Sequence, residues 1–158
     1  LGLWALRDGL ALAGDGRARC LAALHRPQPR VALGLALRGL ASAMLDVSDG
    51  LIGDLGHILE GSRCGAQIET AALPLENLLD CGAPHDVALR ALLSGGDDYE
   101  LLFTATAARH ADIAALADRL DLPLHCIGQL NDRPGEMLLR AADGSLQPPQ
   151  MTGYDHFA

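Results

Sequence analysis

The run Leu45-Asp46-Val47-Ser48-Asp49-Gly50-Leu51 decides how this chain is read. Ser42 to Val47 is a short apolar stretch with the look of a buried strand, and it carries a carboxylate at Asp46. After a turn through Ser48, Asp49 and Gly50, the apolar residues Leu51, Ile52, Leu55, Ile58 and Leu59 fall on one helical stripe. A strand that turns directly into an amphipathic helix is the repeating unit of α/β domains. In such domains ligands collect at the carboxyl ends of the strands, where helix N-termini offer unpaired N–H groups to anions.

The chemistry of this turn admits three readings. Ser48 or Asp49 is a plain helix N-cap. Alternatively, Asp46 and Asp49 hold a hard cation such as Mg²⁺, which takes one or two carboxylates together with phosphate oxygens. The third reading makes one carboxylate a nucleophile, as in aspartyl-phosphate enzymes. Asp54, one turn into the helix, is expected to be a solvated helix residue.

Outward from the turn, strands and helices alternate. Helices are expected at 3–12, 18–24, 31–39, 86–93 and 107–120, and strands at 66–69, 99–104, 124–129 and 137–140. His25-Arg26-Pro27-Gln28-Pro29-Arg30 cannot be helical, because each proline moves its predecessor out of the α region. The expected organisation is therefore a helical tail of a preceding, missing domain at 1–25, a linker at 26–30, and a carboxyl-terminal α/β domain at 31–158. Leu1 is not an initiator residue, in keeping with a longer parent protein.

Composition narrows the function. The chain has 158 residues, 49% of them apolar and 20% charged, as expected of a globular domain with a real core. Its formal net charge is −8, and all 12 basic residues are arginine. Without lysine there is no lysine-bearing P-loop and no Schiff-base chemistry. An acidic chain lacking a local basic face is not expected to bind nucleic acid or an anionic membrane, and no apolar run reaches the roughly 18 residues of a span. If the ligand is a phosphate, a divalent cation must stand between it and these carboxylates. Cys20, Cys64, Cys81 and Cys126 form no CxxC pair. They read as reduced thiols of a cytoplasmic protein.

Two further clusters stand out. Ser94-Gly95-Gly96-Asp97-Asp98-Tyr99-Glu100-Leu101 places paired glycines and acids before an apolar strand. The glycines allow close backbone approach to a ligand, although an ordinary helix-to-strand turn uses the same residues. Strand alternation would place Asp98 and Glu100 on one face, Asp97 and Tyr99 on the other. At the end, Gly153-Tyr154-Asp155-His156-Phe157 concentrates aromatics in a chain that is only 3% aromatic. The bland reading is a frayed terminus; the other is a tail that docks on the body or stacks on a ligand.

Taken together, Asp46-Val47-Ser48-Asp49-Gly50-Leu51 with Asp54-Leu55-Gly56-His57-Ile58, the segment Ser94 to Leu101, and the tail Gly153 to Phe157 resemble the thiamine-monophosphate kinase family, within the aminoimidazole ribonucleotide synthetase superfamily. Arg30-Val31-Ala32-Leu33-Gly34 also fits. The resemblance implies the carboxyl-terminal domain of that fold, an α/β (α+β two-layer) arrangement with helices packed on a mixed sheet. It implies ATP-dependent phosphorylation of thiamine monophosphate, with Mg²⁺ bound at Asp46 and Asp49 and Ser48 touching ATP. It also implies that Asp97, where the family often has Glu, contacts the thiamine moiety and that Tyr154 packs on it. A thiazolium cation suits a carboxylate and an aromatic face. No side chain is assigned to proton transfer. The family's amino-terminal domain, which supplies further metal-binding aspartates and the homodimer contact, is missing from this stretch. Another ATP-dependent member with a different phosphate acceptor, or a noncatalytic ligand-binding domain, would share these features.

Overall fold

The structure is a computed structural model that describes residues 1–96 and 98–150. Two short helices, α1 (Gly2–Arg7) and α2 (Gly16–His25), open the chain. The expected helix over 3–12 stops at Arg7, and Gly9 beyond it takes a left-handed φ of 71°. Helix α2 runs through His25, one residue into the stretch expected to be non-helical, because only the residues next to the prolines are pushed out of the α region. Residues 27–30 have no regular structure, and α3 (Val31–Ala36) follows.

The decisive strand-turn-helix unit is present. β1 (Ala41–Asp46) leads through the acidic turn into α4 (Leu51–Ser62). All five stripe residues, Leu51, Ile52, Leu55, Ile58 and Leu59, are buried in the main core. Burying each contributes about 1.5–3 kcal/mol, which fixes the face that α4 presents. β2 (Gly65–Glu69), α5 (Glu76–Leu79) and α6 (His85–Ser94) come next. The chain finishes with β3 (Leu101–Ala105), α7 (His110–Leu120), β4 (Gly128–Asn131), β5 (Met137–Arg140) and β6 (Leu146–Gln147).

The strands form a two-stranded antiparallel ribbon, β1-β3, and a mixed sheet ordered β4-β2-β5-β6. In the sheet β2 runs parallel to β5 and antiparallel to β4. The strand expected from Leu124 begins only at Gly128, where a β-carbon would collide with the Gln67 carbonyl oxygen of β2. Only glycine lets β4 approach that closely. Ala66 and Ile68 of β2 join the α4 stripe in the main core. A smaller core of Leu33, Leu37 and Leu116 joins α3 to α7. β3 serves both, with Leu102 in the large core and Leu101 and Phe103 against the small one.

The segment ahead of the link also touches the body. The Ala13 amide donates to the Cys81 carbonyl at 2.9 Å, and the Arg90 guanidinium of α6 lies 5.3 Å from the Trp4 ring centre. Among the described residues no helix is long and apolar enough to cross a membrane.

Candidate functional site

The ladder between β1 and β3 brings the two acidic segments together. Asp46 pairs with Leu101, and the pairing continues beyond both strands. The Val47 amide donates to the Glu100 carbonyl at 2.8 Å, and the Tyr99 amide donates to the Val47 carbonyl at 3.0 Å. Two glycines then let the turns seat into one another. Gly50, with φ 92°, packs so closely that a β-carbon there would lie 2.8 Å from the Ser94 carbonyl carbon. A β-carbon on Gly96 would strike the Ser48 carbonyl oxygen. Gly50 and Gly96 are therefore needed for backbone-to-backbone approach. Segments 46 residues apart in the chain (50 to 96) form one acidic lip.

Neither Ser48 nor Asp49 caps α4. The N-cap is Gly50, without a side-chain cap bond. The turn ahead of the helix is instead held by a side chain from inside it. Asp54 Oδ2 accepts the Ser48 amide at 2.9 Å and the Asp49 amide at 3.0 Å. Asp54 is only 3% exposed, the one buried charged residue among those described, so its expected place in solvent is corrected. A buried carboxylate is tolerated only when hydrogen-bonded, and two amide donors give it charge-assisted bonds. Its presence one turn inside the helix is legible in the sequence; its hydrogen bonds back to the turn are a property of the folded chain.

Asp49, Asp54 and His57 present ligand atoms that all lie within 4.8 Å of one another. Carboxylate oxygens here suit a hard dication better than a soft one, although His57 is an unusual donor for Mg²⁺. Asp46, at the end of β1, is exposed and does not belong to this group. Ser48 and Asp49 are half-buried. With their two amides already held by a carboxylate, this turn is not an amide cradle for phosphate.

The second segment departs from the expected strand. β3 starts at Leu101, and Tyr99 holds a left-handed φ of 54°, so residues 98–100 do not alternate as in a strand. Glu100 instead forms a two-pronged pair with Arg30 at the end of the proline-bearing link, at 2.6 and 2.8 Å. That contact keeps the Arg30 guanidinium more firmly protonated than usual, chiefly through the hydrogen bonds it donates to Glu100 and against some burial. Asp97 and Tyr154, the two residues assigned to the thiamine end, lie outside the described residues.

A strand and helix joined through an acidic turn, with a glycine-acid segment locked against it, define an α/β domain with an acidic lip at the carboxyl end of β1. The chain belongs to the family AIR synthase related protein, C-terminal domain, matched over residues 2–139. It is 43% identical to the thiamine-monophosphate kinase of Escherichia coli K12 over 99% of this chain and 48% of that protein. Among solved structures, the thiamine-monophosphate kinase of Stenotrophomonas maltophilia K279a superimposes with a TM-score of 0.78. There the identity is 39%, covering 92% of this chain and 46% of that one. AaThiL complexed with AMPPCP and TMP superimposes with a TM-score of 0.77 at 26% identity, over 99% of this chain and 47% of that one. The chain thus spans about half the length of the curated relatives it matches.

Proposed function

We propose that this chain is the carboxyl-terminal portion of a cytoplasmic kinase that transfers the γ-phosphoryl group of ATP to thiamine monophosphate, giving thiamine diphosphate and ADP. The observation that carries the reading is the interlocking of the acidic turn Asp46 to Gly50 with Gly95, Gly96, Tyr99 and Glu100. It is supported by relatives that carry that name and by a structural neighbour that holds AMPPCP and TMP. In this reading Asp46 and Asp49 hold Mg²⁺, Ser48 faces ATP, and Asp97 and Tyr154 meet the thiamine moiety. Bound Mg²⁺ supplies the positive charge that lets polyphosphate approach carboxylates.

The acceptor is a phosphate oxygen that is already largely anionic at about pH 7. No strong general base is needed, and this chain's residues act by holding the donor and acceptor in line. The amino-terminal domain that relatives carry would complete the site and form the homodimer. Residues 26–30 link the tail of that domain, at 1–25, to the carboxyl-terminal domain at 31–158. The four cysteines are unpaired, as suits a reducing compartment.

The test is direct product assay with ATP, Mg²⁺ and thiamine monophosphate. The protein at its relatives' full length should form thiamine diphosphate and ADP in equal amounts; residues 1–158 alone should not. ADP formed only with another phosphate acceptor would point to a different member of the superfamily. Ligand binding without product would leave a noncatalytic domain.

A further inference from the structure

Nothing in the kinase reading uses Asp54. Yet it is buried to 3% exposure, and a single oxygen, Oδ2, receives both the Ser48 and the Asp49 amides. Gly50, which follows them with φ 92° and ψ 155°, turns the backbone into α4 and has no side chain to hold the turn. The carboxylate is thus the structural post around which the turn is wound. It also occupies donors that would otherwise bind an anion, and it adds negative charge beside Asp49. A phosphate could then reach this turn only with a cation between.

We propose that Asp54 is the positioning residue of this site: by holding the Ser48 and Asp49 amides it aims the Asp49 carboxylate at Mg²⁺ and the Ser48 hydroxyl at the nucleotide phosphate. This role rests on the reading of the turn as a Mg²⁺-nucleotide site. Asp54 acts through the backbone of its neighbours, and its accepting oxygen matters more than its charge.

Two substitutions separate the possibilities. Asp54→Ala frees both amides, whereas Asp54→Asn keeps an accepting oxygen of the same shape. Amide hydrogen exchange on metal-free protein should show Ser48 and Asp49 exchanging faster in the Ala variant and close to wild type in the Asn variant. Calorimetric titration of Mg²⁺ in the presence of AMPPCP should show affinity lowered about 10–100-fold by Ala, the range for loss of groups that orient metal ligands. Asn should restore it to near wild type, with the number of bound ions unchanged in both variants. Loss of one ion in both variants would make Asp54 a ligand and overturn the positioning role. Unchanged Mg²⁺ affinity in both, whatever the melting temperature, would leave Asp54 with only a folding task and overturn it too. Wild-type protein that binds no Mg²⁺ would defeat the functional reading itself, and this role with it.

Discussion

Arg30 and Glu100 meet side by side, Nη2 to Oε1 at 2.6 Å and Nε to Oε2 at 2.8 Å, across 70 residues of sequence. The parallel geometry is the strong form of an arginine-carboxylate pair. It fastens the proline-bearing link to the segment that carries Asp98 and Tyr99. Because the Glu100 side chain is half exposed, solvent screening keeps the pair's worth to about 0.5–1 kcal/mol. A double-mutant cycle with Arg30→Ala and Glu100→Gln should return a coupling of that size, shrinking at high salt. Strictly additive effects would show that the pair holds nothing.

Gly50→Ala should be among the most damaging single-methyl changes in the chain. The new β-carbon would press on the Ser94 backbone, and the left-handed φ is strained for any other residue. A loss of about 1–3 kcal/mol from backbone strain alone is expected, with a lower melting temperature and weakened nucleotide binding. Gly56, with open space at its β-carbon on the same helix, serves as the control. There alanine should be neutral or stabilising. Equal melting temperatures for the two variants would remove the claim that the turns interlock.

At Asp46 the contrast is between metal binding and structure. Asp46→Asn keeps shape and removes charge. In the full-length protein, activity should fall by at least about 10–100-fold, with part of it recovered at high Mg²⁺. Metal-free stability should hold or rise, since the acidic turn carries one carboxylate fewer. The paired measurement is thermal melting without metal and kcat against Mg²⁺ concentration. A variant that melts early yet keeps its specific activity would take Asp46 out of the metal site.

Asp97→Ala and Tyr154→Ala address substrate choice. Each should raise KM for thiamine monophosphate more than for ATP, by the equivalent of about 1–2 kcal/mol for a charged hydrogen bond or a cation–π contact. If both contacts are uniform in ground and transition states, kcat should hold. An unmoved KM in both variants would assign these residues to structure.

The thiols give a pH-dependent check. Burial, then the hydrogen bond and charge of the neighbouring Cys81, push the Cys20 thiol above its ordinary value. A thiol raised in the fold favours the native state below its unfolded pKa, and that contribution fades as pH climbs through the raised value. Iodoacetamide near neutral pH should therefore label exposed Cys126 first and Cys20 more slowly, with buried Cys81 last. Mass spectrometry of timed digests reads the order. Cys20 labelling as fast as Cys126 would contradict its shielded setting.

Much of the fold was legible locally. The α4 stripe could be read from spacing because a helix repeats every 3.6 residues and the five apolar side chains share one face. The break at Pro27 and Pro29, the β1 strand and the acidic turn were likewise visible from short-range chemistry. The start of β4 was not. Leu124 to Ile127 have strand-like composition, but pairing begins only where Gly128 permits contact with Gln67.

The division at the site is sharper. The sequence by itself determined that Asp46, Ser48, Asp49 and Asp54 are crowded around one strand-to-helix turn, because chain connectivity puts them there. Only the tertiary structure decided that Asp54 is buried and holds the turn from within, that Glu100 is taken by Arg30, and that Gly96 sits on Ser48. Those outcomes depend on the β1-β3 ladder and on which backbone amides remain without a partner when the turns close. Hydrogen-bond demand inside a fold is a property of the assembled chain, and no local pattern of residue types carries it.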